Sequence, residues 1–313
     1  MTPSVKVLER LTMVAPLGLR FRDVVAGSFV GDGLNVVLYE PNRPTTKVEA
    51  VANLSGIYVV HHAPGLRDFE NGTGDADFWN NLPRQKTFVI AVTDVHRRFL
   101  PFQFNAELPT RGIFNWTSPL GPSPPSAFPS IPLYSSPVRD VTAGMAVVRA
   151  DLWDAARNVP AASAVLEAYT NSQLVARGLA DEKGRTALIF PILAPRPFTI
   201  LSPPGSPLAS TPTATGLPLT EQVWPITFRA MYAPIIPAPD LVGEFGPEPQ
   251  LPNLHDILSQ REGILWADEA LTEPLGEVSL RYGRELVLKS RPTTSSPPAP
   301  LSVLFVTPVG SPP

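Results

Sequence analysis

Arg22-Asp23-Val24-Val25-Ala26-Gly27 and Arg139-Asp140-Val141-Thr142-Ala143-Gly144 are near copies of one another, one in each half of a 313-residue chain. The features downstream of each copy keep the same order. After the first come a strand-like run ending Val37-Leu38-Tyr39 and then Ala52-Asn53-Leu54-Ser55-Gly56-Ile57-Tyr58-Val59. After the second come Leu166-Glu167-Ala168-Tyr169 and then Ala180-Asp181-Glu182-Lys183-Gly184-Arg185-Thr186-Ala187. Asp followed by Gly makes a tight turn between strands, and Asn or Asp with Gly three residues later opens another. Repetition of such a unit predicts an internal duplication and two domains, which the chain length accommodates.

The segments between the turns have strand character. Asn35–Tyr39, Gly56–Val60, Thr87–Val92, Phe99–Phe104, Met145–Ala150, Ala164–Tyr169, Thr186–Phe190, Ile226–Met231, Glu277–Tyr282, Glu285–Leu288 and Ser302–Val306 are short, rich in β-branched and aromatic residues, and bounded by turn formers. One helix is predicted at Pro252 to Arg261, where Leu254, Ile257 and Leu258 share a face and Gly263 lies just beyond. Ala161 to Tyr169 carries helix propensity as well as strand pattern.

The 39 prolines, about one residue in eight against a usual ~5%, exclude long helices from most of the chain. They also mark its joints. Ser118 to Pro137 holds seven of them and reads as an extended linker. The expected organisation is an N-terminal β-sandwich over 1–117, a linker over 118–137, and a C-terminal β-sandwich over 138–313. The second sandwich carries proline-rich insertions at 191–218 and 234–252 and an extended tail.

Lys plus Arg come to 25 and Asp plus Glu to 28, a formal net charge of −3, so no general attraction to nucleic acid or anionic lipid is expected. Charged residues are 17% of the chain, below the roughly 25% usual for soluble domains, which suits a surface partly covered by partners. With no cysteine, disulfides and thiolate metal sites are excluded and a cytoplasmic setting is expected. Lys6, Arg10 and the apolar run Leu11 to Leu19 share features with a signal peptide, but Glu9 and Arg20-Phe21-Arg22-Asp23 break that pattern; the segment reads as a first strand with a lead-in. No run reaches the ~18 apolar residues that span a bilayer as a helix.

The turn signatures resemble the carboxypeptidase regulatory-like, or transthyretin-like, β-sandwich family. They are carried by Arg139 to Gly144 and by Gly178 through Pro191, with Asp181-Glu182-Lys183-Gly184 between. The first copy departs from the pattern, with Val25-Ala26-Gly27 and Asn53-Leu54-Ser55-Gly56. The whole is an all-β chain of two tandem Ig-like or transthyretin-like sandwiches with long proline-rich loops and one short helix. The chain is also similar to accessory proteins of contractile injection systems, which are phage-tail-like particles. Leu17 to Asp23, Phe78-Trp79, Arg98 to Phe102, Leu280 to Leu286 and Val306-Thr307-Pro308 carry that likeness. It implies a non-enzymatic structural or adaptor subunit, present in several copies among sheath, tube, cap or baseplate proteins, in a particle that is later released or attached to a membrane. The alternative is a carbohydrate-binding or adhesive module, which needs a row of exposed aromatics on one sheet face.

No residue set stands out as catalytic, cofactor-binding or metal-binding. His61, His62, His96 and His255 lack zinc-site spacing, and His61 and His62, adjacent on a strand, point to opposite faces. The loop Asp68 to Asp77 is rich in oxygen ligands but departs from the EF-hand pattern, so a solvated acidic loop is expected in place of a weak calcium site, anchored by Phe69, Phe78 and Trp79. Gly-x-Ser-x-Gly, phosphate-loop and His-Glu-x-x-His motifs do not occur. Arg20, Arg22, Arg97, Arg98 and Arg111 are expected to form salt bridges with a partner protein, and Trp116, Trp153, Trp224 and Trp266 to pack in cores.

Overall fold

The computed structural model describes residues 13–121, 128–192, 222–234, 241–243, 246–248, 250–292 and 302–309. Strands dominate them, and each of the three helices is five residues or shorter, so the chain is all-β as expected. It divides into two compact units, Met1–Ser136 with Ile235–Gln260, and Pro137–Pro234 with Arg261–Pro313.

Among the described residues the first unit has two main sheets besides a two-stranded hairpin. In one, β1 (Leu17–Asp23) pairs antiparallel with β2 (Phe29–Val30) and with β6 (Ile57–Val60), and β6 pairs with β5 (Val51–Ala52). The other runs β4 (Arg43–Glu49), β3 (Leu34–Glu40), β7 (Lys86–Asp94), β8 (Phe102–Leu108). Leu17, Leu19 and Phe21 alternate inward from β1; Val36 and Leu38, Phe88, Ile90 and Val92, and Phe102, Phe104, Ala106 and Leu108 do the same in the second sheet, all at or below 2% exposure. That period of two gives each sheet one buried face. Between β6 and β7 lie α1 (Arg67–Glu70) and α2 (Ala76–Asn80).

The expected linker is corrected at its C-terminal end. Ile131-Pro132-Leu133 forms β9, which lies parallel to Phe21–Asp23 of β1 and is fully buried at Ile131 and Leu133. The first unit therefore runs past 117 to Ser136. The expected insertion at 234–252 falls largely in this unit as well, including a hairpin of β16 (Leu241–Gly243) and β17 (Gly246–Glu248). The predicted helix is α3 (Leu254–Leu258), capped by Asn253, whose side chain accepts from the His255 amide at 2.9 Å. It buries Leu254, Ile257 and Leu258 and packs beside β8. The expected insertion at 191–218 lies almost wholly outside the described residues.

In the second unit β10 (Met145–Asp154) is central. It pairs antiparallel with β14 (Arg185–Pro191) and β11 (Val159–Pro160), and parallel with β20 (Leu286–Leu288) and β21 (Val303–Pro308). From β21 the sheet continues through β18 (Glu262–Leu265), β15 (Val223–Met231) and β12 (Val165–Thr170) to β13 (Gln173–Leu179), with β19 (Val278–Arg281) beside the start of β15. Val148, Leu152, Leu166, Leu188, Phe190, Ile226, Phe228, Leu304 and Val306 form one cluster, so the sheet curls until the inner faces of its two ends meet. Residues 161–169, ambiguous in sequence, resolve into a turn and β12, which is hydrogen-bonded on both sides.

The two units share one topology, in a register different from the one expected. Arg20 faces Ile57 across β1 and β6, as Asp151 faces Arg185 across β10 and β14. Three residues on stand Asp23 and Asp154. Asp23 accepts from the Val25 amide at 2.8 Å, and Asp154 from the Ala156 amide at 2.9 Å. Each turn closes with a residue at positive φ, Gly27 at 69° and Asn158 at 56°. Gly18 bridges Ile113 as Arg149 pairs with Val287, and the β3–β4 and β12–β13 hairpins both carry a register shift just before their turns. Asp23–Gly27 thus corresponds to Asp154–Asn158, while Arg139–Gly144 is irregular chain leading into β10. The second half of the predicted repeat holds: Asn53 Oδ1 accepts from Ser55 and Ile57, and Asp181 Oδ1 from Lys183 and Arg185.

Candidate interaction surface and cleft

The histidines remain scattered. His61 and His62 lie just past β6, in place of the expected position within a strand, with His62 at φ 60°. His62 Nδ1 is 3.5 Å from the buried carboxylate of Glu70, which also accepts from the Ala63 amide at 3.2 Å. His96 and His255 are exposed. Among the described residues no three of His, Cys, Asp and Glu gather where a metal ion could be held.

The acidic loop from Asp68 to Asp77 folds into α1 and α2. Asp75 caps α2, accepting from the Phe78 amide at 2.8 Å, and that bond, with a smaller contribution from Thr73, holds its carboxyl below the usual range. Phe69, Phe78 and Trp79 cluster with ring centroids 4.7–5.7 Å apart, and Trp79 Nε1 donates to the Gly74 carbonyl at 3.1 Å. The aromatics flanking the loop thus anchor it within its own unit.

Of the arginines expected to reach a partner, Arg98 is engaged internally. Its guanidinium donates twice to Asp94 at 3.1 Å, and the same carboxylate accepts from the Arg98 amide at 2.6 Å. Burial pushes the Asp94 carboxyl upward, but the Arg98 guanidinium and the Arg98 and His96 amides outweigh it and hold the group below its ordinary range. Arg22 is buried, and desolvation lowers its pKa.

Arg20 is held by aromatic faces. Its guanidinium carbon lies 4.8 Å from the ring centre of Phe29 and 5.8 Å from that of Phe128, and the two rings meet edge to face at 6.4 Å. Its Nε is buried without a hydrogen-bond partner among the described residues. Phe29 and Phe128 are 42% and 57% exposed, the two exposed phenylalanines among the described residues. The row of exposed aromatics that an adhesive sheet face requires is therefore not found there. β1, β2 and the approach to β9 bring the clamp together, and neither phenylalanine carries a sequence signal: Phe29 opens a two-residue strand flanked by glycines, and Phe128 lies in the proline run.

Trp224 alone of the four tryptophans expected in cores is buried, at 4%. Trp153 and Trp266 are half-buried at strand margins, donating to Asn158 at 3.1 Å and Thr307 at 2.9 Å. Trp116 lines a cleft of ≈ 330 Å³ in the first unit, formed by β8, residues 114–117 and the start of α3. A second cleft, of ≈ 360 Å³ in the second unit, lies between residues 141–147 and the β19–β20 turn, with Trp224 on its wall.

No family model matches the chain. No curated protein matches it either. A candidate adhesin from Bacteroides ovatus, known from a crystal structure, aligns over 86% of this chain and 96% of its own with 10% sequence identity and a TM-score of 0.17. A TM-score that low carries no argument about fold or function.

Chemically, the clamp offers apolar ring edges beside a cation whose charge is spread over a planar group, a pairing common at the centres of protein interfaces. The β4 edge offers less. Arg43-Pro44-Thr45-Thr46-Lys47-Val48-Glu49 carries a proline and a lysine, which blunt strand addition.

Proposed function

We propose that the chain is a non-enzymatic structural adaptor that joins protein subunits in a large symmetric assembly, of the contractile injection type whose accessory proteins its sequence resembles. The Arg20–Phe29–Phe128 clamp supports this reading most directly. Phenylalanine is unfavourable in water, and because these two rings are already about half-buried, covering each with a partner stabilises a complex by roughly 1 kcal/mol, about half the value for burial from full exposure. Duplication of one sandwich gives two platforms whose loops vary independently, as an adaptor requires. Contact through the clamp is preferred to strand addition, because β4 is polar and contains Pro44. In such a particle several copies of the chain sit at the cap or baseplate end, beside sheath or tube proteins.

Affinity isolation of the tagged chain from its native lysate, with negative-stain microscopy and mass spectrometry of the eluate, tests it. Rigid tubes carrying sheath and tube proteins are expected. A clean monomer from a lysate that contains intact particles would overturn the proposal.

A further inference from the structure

The cleft of ≈ 330 Å³ in the first unit is built unlike the clamp. Its floor is aromatic: Phe104, 1% exposed, stacks on Phe114 with centroids 5.7 Å apart and planes at 27°. Trp116 adds a half-buried indole face. The rest of the lining is polar, with Asn105, Asn115, Thr117 and Asn253, and no Lys or Arg among the described residues that line it. One carboxylate, Asp256, and one imidazole, His255, complete it, both on exposed residues. Asn253 Oδ1 is already committed to the His255 amide at 2.9 Å, which fixes that side chain and leaves it the NH₂ as a donor.

This combination discriminates among ligand classes. A phosphate-bearing ligand calls for cationic groups, and the described wall has none. A proline-rich peptide docks in a groove that is aromatic along its length, whereas here the aromatics are confined to the floor. An apolar ligand would desolvate the amides it covers without giving them partners, at a cost of about 1–3 kcal/mol for each one left unpaired. A pyranose fits each demand. Its hydroxyls both donate and accept, as the amides do, and its C–H faces pack against flat rings. Volumes near the lower end for ligand sites leave room for roughly one or two such rings.

We propose that this cleft binds a neutral saccharide, with Trp116 and Phe114 as the stacking surface and Asn115 and Asn253 as the hydroxyl-reading groups. The site is independent of the adaptor reading, since it shares no residue with the Arg20 clamp.

The test uses the full chain. Fluorescently labelled protein is screened on a glycan array, and tryptophan fluorescence and calorimetric titrations with cellobiose and N,N′-diacetylchitobiose as probes come next. The expected result is saturable binding of neutral glycans, weakened about tenfold or more by Trp116→Ala. Asn115→Ala, at an exposed position where the thermal midpoint should not change, should weaken binding in the same direction. Three results would overturn the proposal: no neutral glycan bound on the array and no saturation with either disaccharide up to about 10 mM, binding that survives both substitutions, or Trp116-dependent binding of a proline-rich peptide in place of sugar.

Discussion

Asp154→Ala removes the acceptor on which the second unit's first turn is built. Asp154 is fully buried, and its carboxylate accepts from the Ala156 amide at 2.9 Å, the Arg157 amide at 3.1 Å and the Tyr232 hydroxyl at 2.8 Å. Ala156 and Arg157 are exposed, so their amides recover water when the carboxylate is lost. Tyr232 is 3% exposed and keeps a desolvated hydroxyl. Hydrogen bonds to a charged acceptor contribute about 1.5–3 kcal/mol each and an orphaned buried donor costs about 1–3 kcal/mol, so a net loss of roughly 3–4 kcal/mol is expected once the amides are rehydrated. In a unit of roughly 150 residues this lowers the thermal midpoint by about 6–15 °C. Calorimetry of the full chain reads the shift. A double-mutant cycle with Tyr232→Phe should show coupling of about 1 kcal/mol or more, because both substitutions remove the same bond. A midpoint within about 2 °C of the parent, or strict additivity in the cycle, would refute the assignment of this aspartate as the pin of the repeat.

Asp94 gives the first unit an acid limb: its folded pKa lies below the unfolded value of 3.8, so its stabilisation is present above that value and is lost as pH falls through the folded pKa. Asp94→Asn should therefore flatten the loss of stability below about pH 4 in urea titrations, and an unchanged acid limb would count against the Arg98 fork. Gly184 sits at φ 77°, where an added Cβ would meet the Leu152 carbonyl oxygen, so Gly184→Ala should cost about 2 kcal/mol or more in denaturant unfolding. A fragment ending at Ser136 should melt earlier than the first unit of the full chain, because it lacks Leu254, Ile257 and Leu258, each 2% exposed or less. Restoring 250–260 as a fused segment should recover the difference, and equal melting of both fragments would show that α3 contributes nothing.

The strands that sequence made legible are those with apolar alternation against a core, such as Thr87–Val92 and Met145–Ala150, both found within β7 and β10. β4 and β13 carry no such signal, for a physical reason. Arg43–Glu49 is an edge strand exposed along most of its length, and Gln173–Leu179 alternates weakly, so neither shows the period of two. The Asn53–Gly56 and Asp181–Gly184 turns were readable because an Asx acceptor and a positive-φ glycine are local requirements. The first turn was misaligned because its true counterpart, Asp154 to Asn158, keeps the acceptor but replaces glycine by asparagine, which also tolerates positive φ. Ile131-Pro132-Leu133 hid in a proline run, since proline is accepted on a strand with free donors on one side only. The clamp and the cleft leave no local mark in the sequence. Arg20 meets Phe128, and Asn105 meets Asn253, only through the folded sheets.

If the chain is an adaptor, another subunit of the assembly covers the exposed Phe29–Phe128 pair. Site-specific incorporation of a photo-crosslinking phenylalanine analogue at position 128, then irradiation of the native cells and mass spectrometry of the adducts, reads that contact without purification. One dominant adduct with a structural particle protein is expected, lost when Phe29 and Arg20 are both replaced by alanine. An absence of adducts at position 128 in cells that contain assembled particles would contradict the adaptor role.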